Sequence, residues 1–239
     1  MTTNSPWGAL LQVAAMASLL SAVTTAVLVF GPTVPLPEGI AEQAKLHDDA
    51  AYLYRHWVLF FHPQFAFVGS LGAATLLWRT RPALVSLSVF YLLVWATTEM
   101  TQQAYVIDAL NQFWRPSLLA ADTDTQRTLY ETLIQGLGAI SDSQYFVLLF
   151  GFGLGTGLLG AAFLCRDTLS TIIGITLIAI GLLSLSAFAG YYAGAQWVLP
   201  YTGWIYANLY GVIQTGVRLA LAFWLWREWR ALKAPEGRV

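Results

Sequence analysis

Residues 82–110 read PALVSLSVFYLLVWATTEMTQQAYVIDAL, an apolar run that is long enough to cross a membrane as one helix. The second half of this run contains Glu99, Gln102 and Gln103. A charged carboxylate near the centre of a bilayer costs at least a few kcal/mol, so such a residue normally faces the protein interior and meets a partner, a proton or a ligand. The stretch therefore predicts a membrane helix with an unusual polar face.

Composition extends the membrane prediction to the whole chain. Of its 239 residues, 57% are hydrophobic and only 10% are charged, whereas roughly 25% are charged in a soluble domain. Six apolar runs have about the 20 residues that cross a hydrocarbon core of roughly 30 Å. We therefore predict an all-α fold in which a single domain, 1–239, forms a polytopic membrane bundle of six transmembrane helices. The predicted helices cover about 7–30, 52–78, 82–110, 141–165, 168–194 and 203–226.

The links between these runs contain recognisable turn and cap signals. Three prolines in 31–37 predict a non-helical turn, and residues 200–203 predict the link between the fifth and sixth helices. A long polar connection is expected after residue 111. Within it, residues 122–124 can cap a helix that starts near Thr125, and Leu129, Leu133 and Leu137 recur every fourth residue. This spacing predicts an additional amphipathic surface helix on the exterior side, leading into the fourth helix.

Lys and Arg are unevenly divided between the two sides of the predicted bundle, and cytoplasmic links carry the excess in membrane proteins. One side holds Arg79, Arg81, Arg166, Arg227, Arg230, Lys233 and Arg238. The other side holds Lys45, Arg55, Arg115 and Arg127 among many acids. We therefore predict a multi-pass protein with both termini in the cytoplasm.

Several function classes have no support in the sequence. A formal net charge of −1 gives no electrostatic basis for binding nucleic acid. The single Cys165 cannot form an intrachain disulfide and matches no spacing of zinc ligands. The three histidines, His47, His56 and His62, are spaced so that they do not converge on one metal ion. No metal site and no cofactor is therefore identified. A metal site made of one histidine, Glu99 and a third ligand from another helix stays open as an alternative.

Glycines are concentrated in the fourth predicted helix. Gly151 with Gly155, and Gly153 with Gly157, form two overlapping small-xxx-small pairs, which allow a neighbouring helix to approach closely. A phosphate-binding loop is not expected, because no strand precedes these glycines and no Lys-Ser/Thr pair follows them. The glycines therefore predict helix packing, and they offer a surface for a homo-oligomer or for a larger membrane complex.

Polar side chains occur at one depth in three different helices. His62, Glu99 and Tyr210 are separated by the same number of residues from a landmark at the cytoplasmic end of their helices. At 1.5 Å per residue this places each of them about 25 Å from the cytoplasmic surface. The cytoplasmic half has almost no polar side chain besides Ser, Thr and Arg218. This asymmetry predicts a cavity open toward the exterior.

Helical spacing selects the candidate residues of this cavity. Spacings of three and four put polar residues of the third helix on one face, and four residues of the sixth helix recur every fourth position. The candidate ligand-binding residues are Trp95, Gln102, Gln103, Tyr145, Tyr206, Tyr210, Gln214 and Arg218. The candidate catalytic residues are Glu99 and His62. A packing role stays open for each: Glu99 could pair with Arg218 or bond to Gln214, and His62 could be a satisfied core histidine.

The segment DSQYFVLLFGFGLGTGLLG, residues 142–160, resembles the fourth-helix region of bacterial six-helix membrane proteins classed as a domain of unknown function. The resemblance covers this helix and the hydropathy plan; it implies a bacterial inner (cytoplasmic) membrane location and carries over no functional residue. The helix that contains Glu99 also resembles small integral-membrane terpenoid cyclases and sterol isomerases, which use acids and aromatic residues in a lipid-accessible pocket.

Three functional hypotheses follow from these residues. The first is an exterior-facing polar and aromatic pocket that binds a small amphipathic molecule, such as a quinone, an isoprenoid or a lipid. The second is an intramembrane isomerase or cyclase in which Glu99 acts as general acid or base. The third is a proton-coupled carrier or a structural subunit of a membrane complex. Against the carrier, the cytoplasmic half offers only Arg218 as a polar step.

Overall fold

The computed structural model describes residues 6–164 and 166–233, so Cys165 and both chain ends lie outside the described residues. The described residues are almost entirely helical and contain no strand. Six helical stretches among them are long and apolar enough to cross a membrane, which confirms the predicted all-α class with six spans. The spans, numbered first to sixth, are Pro6–Phe30, Ala50–Leu77, Pro82–Leu119, Asp124–Phe163, Thr168–Tyr192 and Gln196–Lys233.

The third span is longer than the sequence predicts. The α-helix Pro82–Tyr105 continues through the π-helical turn Val106–Trp114 into the short helix Arg115–Leu119. The predicted end near residue 110 and the long polar connection after it are therefore wrong. Two buried polar side chains there form hydrogen bonds along the helix: Asn111 Nδ2 donates to the Val106 carbonyl at 2.7 Å, and Arg115 Nη1 donates to Asn111 Oδ1 at 2.6 Å.

The predicted surface helix and the fourth span form one continuous helix, Asp124–Phe163. Thr123 caps it, and the Thr123 hydroxyl accepts a hydrogen bond from the Gln126 N–H at 3.2 Å. The predicted stripe of Leu129, Leu133 and Leu137 is not buried along its length, because Leu129 is 53% exposed; the buried face of these turns is formed by Ile134 and Leu137. Leu137 belongs to a small apolar cluster whose buried members also include Ala44, Leu110, Leu118 and Ile134.

The sixth span begins earlier than the sequence predicts. It consists of the 3-10 turn Gln196–Val198, the helix Leu199–Ile205, the π-helical turn Tyr206–Tyr210 and the helix Gly211–Lys233. The predicted link at residues 200–203 is wrong, because Pro200 lies in the first turn of a helix, where no backbone N–H is needed. The true link is residues 193–195, and Gly194 supplies its positive φ of 77°.

The six spans form a ring in chain order. Each span packs against its neighbours in sequence, and the sixth closes the ring against the first. The fifth span packs against the sixth through three of its elements, Gln196–Val198, Leu199–Ile205 and Gly211–Lys233. We call the end that holds residues 78–81 and 166–167 the Arg end. The opposite end, which holds residues 31–49, 120–123 and 193–195, is the loop end. Residues 31–49 include the short helix Ile40–Ala44 and the 3-10 turn Lys45–Asp48.

The interior of the ring is packed with apolar side chains on the Arg-end side of its middle. Fully buried side chains from all six spans meet there, among them Leu11, Leu77, Val85, Phe163, Ile173 and Trp224. Serine hydroxyls add bonds between spans: Ser88 Oγ donates to the Gly155 carbonyl at 2.7 Å, and Ser18 Oγ donates to the Arg218 carbonyl at 2.9 Å. These two hydroxyls link spans through backbone carbonyls, and hydrogen bonds of this kind contribute to the association of helices in lipid.

The glycines of the fourth span allow it to approach two neighbours closely. A side-chain carbon at Gly155 would lie 2.7 Å from Leu92 on the third span, and one at Gly160 would lie 2.6 Å from the Gly174 carbonyl on the fifth. The predicted helix packing is therefore present within the chain. Use of Gly151, Gly153, Gly155 and Gly157 in contacts with another chain stays a prediction.

Candidate functional site: a central cavity at the loop end

The loop-end half of the ring encloses a cavity of about 350 Å³. All six spans contribute side chains to its wall, so the cavity lies on the axis of the ring rather than between two helices. Aromatic residues supply much of the wall, and the Trp95 and Phe152 rings are in contact, with centroids 5.0 Å apart. The size and the mixed polar and aromatic lining are typical of a small-molecule site.

All the sequence-predicted site residues except Arg218 line this one cavity. They are His62, Trp95, Glu99, Gln102, Gln103, Tyr145, Tyr206, Tyr210 and Gln214. His62, Glu99 and Tyr210, which the sequence predicts at one level, thus line the same cavity from the second, third and sixth spans. That these residues bind a ligand stays a prediction. Tyr145 is also 44% exposed, so it connects the cavity wall with the outer surface of the bundle.

Sequence reasoning missed the lining residues that carry no distinctive chemistry. They are Thr25, Leu28, Val29, Leu59, Leu148, Leu149, Phe152 and Ser184. Apolar residues of this kind occur on every face of a membrane helix, so no signal in the sequence separates them from lipid-facing or core positions. Leu59 is a partial exception, because Pro63 four residues later cannot donate to its carbonyl.

Glu99 lies half-buried in the cavity wall. Its nearest hydrogen-bonding neighbour is the Trp95 side chain, one helical turn away. Glu99 forms no ion pair within residues 6–164 and 166–233, and no hydrogen bond joins it to Gln214 there. The alternative in which Glu99 pairs with Arg218 or Gln214 to fix helix packing is therefore not the arrangement found. The carboxyl keeps access to the cavity.

His62 is joined to the first span by a hydrogen bond to Thr24. Its Nδ1 lies 2.9 Å from Thr24 Oγ1, and that hydroxyl in turn lies 2.9 Å from the Leu20 carbonyl and 3.0 Å from the Ser21 carbonyl. The single hydroxyl proton of Thr24 can serve one of these three acceptors, so the hydrogen bond holds the imidazole in place with either ring nitrogen protonated. The ring is thus oriented in the cavity wall by a side chain of another span.

The two glutamines of the third span are each oriented by another span. Gln102 Nε2 donates to the Ser141 carbonyl on the fourth span at 3.1 Å. Gln103 Oε1 accepts from His56 Nδ1 on the second span at 2.7 Å. These bonds occupy one end of each amide, so Gln102 has its oxygen and Gln103 its NH₂ group left for the cavity.

Gln214 is the clearest unsatisfied group of the cavity. It is only 2% exposed, yet its side-chain oxygen has no hydrogen-bond partner in the structure. A buried amide oxygen without a partner costs about 1–3 kcal/mol, so a ligand donor at this place would be favoured. One turn earlier, Tyr206 and Tyr210 lie in the π-helical turn, with ring centroids 4.8 Å apart. Such turns occur frequently at functional sites.

Arg218 lies one helical turn further toward the Arg end and does not line the cavity. It is 3% exposed, its Nε atom has no hydrogen-bond partner, and it forms no ion pair with any described residue. Tyr210 is close enough to interact electrostatically with both Arg218 and Glu99. Arg218 is thus a neighbour of the cavity wall rather than part of it.

The chemistry that the wall offers is that of neutral hydrogen bonding and proton exchange. Among the described residues, those that line the wall supply one carboxyl group, one imidazole, three amides and three tyrosine hydroxyls, and no lysine or arginine. Among the described residues, no three His, Cys, Asp or Glu side chains are grouped as metal ligands would be. No family model, no curated protein and no solved structure matches this chain.

Proposed function

We propose that this integral membrane protein binds a small amphipathic molecule, such as a quinone, an isoprenoid or a lipid, in the central cavity at its loop end. The observation that carries the proposal is the buried, unpartnered oxygen of Gln214 in a wall that also holds Glu99 and His62. Three polar groups from three spans converge where the ring would otherwise be filled with apolar side chains, as it is in the Arg-end half.

The charge of the wall selects the kind of headgroup. A phosphate or carboxylate would meet Glu99 without a lining lysine or arginine to balance it, and an unpaired buried charge is strongly disfavoured. A neutral head with hydroxyl or carbonyl groups fits instead, since it can donate to Gln214 and His62 and accept from Gln103 and the tyrosines. Trp95 and Phe152 supply flat apolar surface for a ring or an isoprenoid unit.

A second candidate function is proton transfer on such a molecule. Glu99 and His62 line one cavity, and both side chains can accept or give a proton. An isomerase or cyclase would use one of them as general base and the other, or Tyr210, as general acid. A proton-coupled carrier has less support, because the interior of the Arg-end half is packed.

The location that we propose is the bacterial inner membrane, with the Arg end and both termini in the cytoplasm. The support is the Lys and Arg excess at the Arg end together with the six spans. The cavity then opens toward the exterior half of the bilayer. Contacts with other copies or with a larger complex through the glycine-rich fourth span are part of the same proposal.

Lipid extraction tests the binding proposal. The protein would be purified in mild detergent, and its bound molecules would be extracted and identified by mass spectrometry beside those of Glu99→Gln and Gln214→Leu. We expect one neutral amphipathic species that falls at least about fivefold in both variants, because each loses about one buried hydrogen bond to the headgroup.

Gln64→Leu is the matched control. Gln64 is a half-buried glutamine of the second span, but its side chain donates a hydrogen bond to the Phe60 carbonyl of its own helix and does not line the cavity. We expect it to leave the extracted species unchanged. The same species bound equally by all four proteins, with unchanged thermal stability, would contradict the proposal. An altered product that accumulates only when Glu99 is intact would favour the enzyme.

A further inference from the structure

A second cavity, of about 730 Å³, lies at the Arg end, separated from the first by the packed core. The first, second, third and sixth spans and the link between the fourth and fifth form it. Its wall is mainly apolar and includes Leu11, Leu71, Ala74, Leu76, Val89 and Leu232. None of its described lining residues also lines the loop-end cavity, so what it binds can be considered independently of that site.

Two arginines, Arg79 and Arg166, belong to this apolar wall, and both are exposed. Neither forms an ion pair with any residue that the structure describes. Two described acids at the Arg end, Asp167 and Glu228, are both paired with Arg227, at 2.6 and 2.9 Å. Arg166 instead lies over the Trp224 ring, 5.7 Å from its centroid. Two positive charges therefore lie beside an apolar cavity without an ion-pair partner among the described residues.

The positions of these residues correspond to the interface of a bilayer. Arg79 follows the end of the second span at Leu77, and Arg166 precedes the start of the fifth span at Thr168. Trp78, which also lines the cavity, is 52% exposed at the same level. Exposed tryptophans beside arginines mark the headgroup level of membrane proteins. A molecule with its charge at the arginines would extend its tail into the apolar part of the cavity.

We propose that this Arg-end cavity binds an anionic phospholipid, with Arg79 and Arg166 at its phosphate and one acyl chain against the apolar wall. Basic pockets between membrane helices bind such headgroups, and guanidinium groups match the geometry of phosphate oxygens. A free inorganic phosphate would leave the apolar wall without an occupant. A zwitterionic lipid would bring the positive charge of its ammonium group close to the two arginines.

Native mass spectrometry of the purified protein tests this assignment. The probes are palmitoyl-oleoyl phosphatidylglycerol and phosphatidylcholine, which share their acyl chains and differ in headgroup charge. We expect the protein to retain the anionic lipid in preference to the zwitterionic one by about tenfold, and Arg79→Gln with Arg166→Gln to abolish the preference. The matched control is Arg81→Gln with Arg230→Gln, which removes the same charge at the same end but from residues outside the cavity wall.

Two further measurements separate the cavity from a general surface effect. Leu71→Trp, at a half-buried lining position, should lower binding of the anionic lipid although both arginines remain. Inorganic phosphate should not displace the lipid. Equal loss of preference in the control pair, full binding in Leu71→Trp, or displacement by inorganic phosphate would each overturn the proposal. Thermal unfolding of every variant would verify that it is folded.

Discussion

Polar side chains at membrane depth fall into two groups in this protein. Most are satisfied by a carbonyl of their own or a neighbouring span, as Ser88 and Gln102 are. Two that line the loop-end cavity are less completely satisfied: Glu99 has no ion pair among the described residues and is hydrogen-bonded by Trp95 of its own helix, and the Gln214 oxygen has no hydrogen-bond partner among those residues. Because an unsatisfied polar group is costly in the absence of water, Gln214 marks the place in the cavity where a ligand would contribute most.

Asp167, in the link before the fifth span, combines two roles. Its side chain caps the helix by accepting from the Ser170 N–H at 2.8 Å, and its Oδ2 lies 2.6 Å from Arg227 Nη2. The Ser170 N–H and, less strongly, the Arg227 guanidinium hold the pKa of Asp167 below its ordinary value. The charged form therefore stabilises the fold above the ordinary pKa, and this contribution is lost as the pH falls through the lowered one.

Substitutions at Asp167 can separate the two roles. Asp167→Asn keeps the cap acceptor and should cost less than about 1 kcal/mol at neutral pH, since the ion pair is exposed. Asp167→Ala also loses the cap and should cost about 1 kcal/mol more. Thermal unfolding in detergent measures both. The deficit of Asp167→Asn should vanish at a pH below the lowered pKa, and an equal deficit at both pH values would refute this account.

At the scale of single elements, the fourth span shows how glycine spacing determines which helices touch. Gly155 and Gly151 face the third span, whereas Gly153 and Gly160 face the fifth. One helix can therefore pack closely on two sides, because its glycines alternate between two faces. The sequence predicted close packing, but only the structure assigns a partner to each glycine.

Gly160 and Gly157 provide a matched pair for testing this packing. A side-chain carbon at Gly160 would lie 2.6 Å from the Gly174 carbonyl and 2.8 Å from the Ile178 nitrogen, whereas one at Gly157 would meet nothing within 4 Å. Gly160→Ala should therefore lower the free energy of unfolding by about 1–3 kcal/mol. Gly157→Ala should leave it unchanged or slightly raised. Tryptophan fluorescence during thermal unfolding measures both, and equal midpoints would show that the backbones separate without cost.

At the scale of the whole molecule, the ring of six spans divides into two halves with different contents. Apolar side chains pack the ring interior toward the Arg end, where the cavity of about 730 Å³ is also mainly apolar, and the polar-lined cavity occupies the loop-end half. Among the described residues, Ser184 alone represents the fifth span in the loop-end cavity wall. The polar chemistry of the molecule is therefore concentrated in one half of the ring.

Orientation in the membrane is a prediction for the whole molecule. The excess of Lys and Arg at the Arg end should retain that end in the cytoplasm. A green fluorescent protein fused after Val239 should then fluoresce in cells, and alkaline phosphatase inserted in residues 31–37 should be active outside. The reverse pair of results would place the Arg end outside and would reverse the direction in which the cavity opens.

The helix limits show where sequence reasoning ends. The limits of the first, second and fifth spans were predicted within a few residues, because each apolar run stops at a turn signal. The third and sixth were not, because Asn111 and Arg115 are polar yet buried in a continuing helix, and Pro200 begins a helix instead of separating two. Local composition could not reveal that the ends of these helices pack on other parts of the chain.

The sequence by itself determined the all-α class with six spans, because hydropathy is a local property. The fixed rise and rotation of a helix placed His62, Glu99 and Tyr210 at one level and gave Glu99, Gln102 and Gln103 one face, and all five residues line the cavity. Only the tertiary structure decided that Arg218 lies outside the wall and that Ser184 lies within it. It also decided that Glu99 has no ion pair among the described residues of another span, since contacts between spans depend on the order and rotation of helices around the ring.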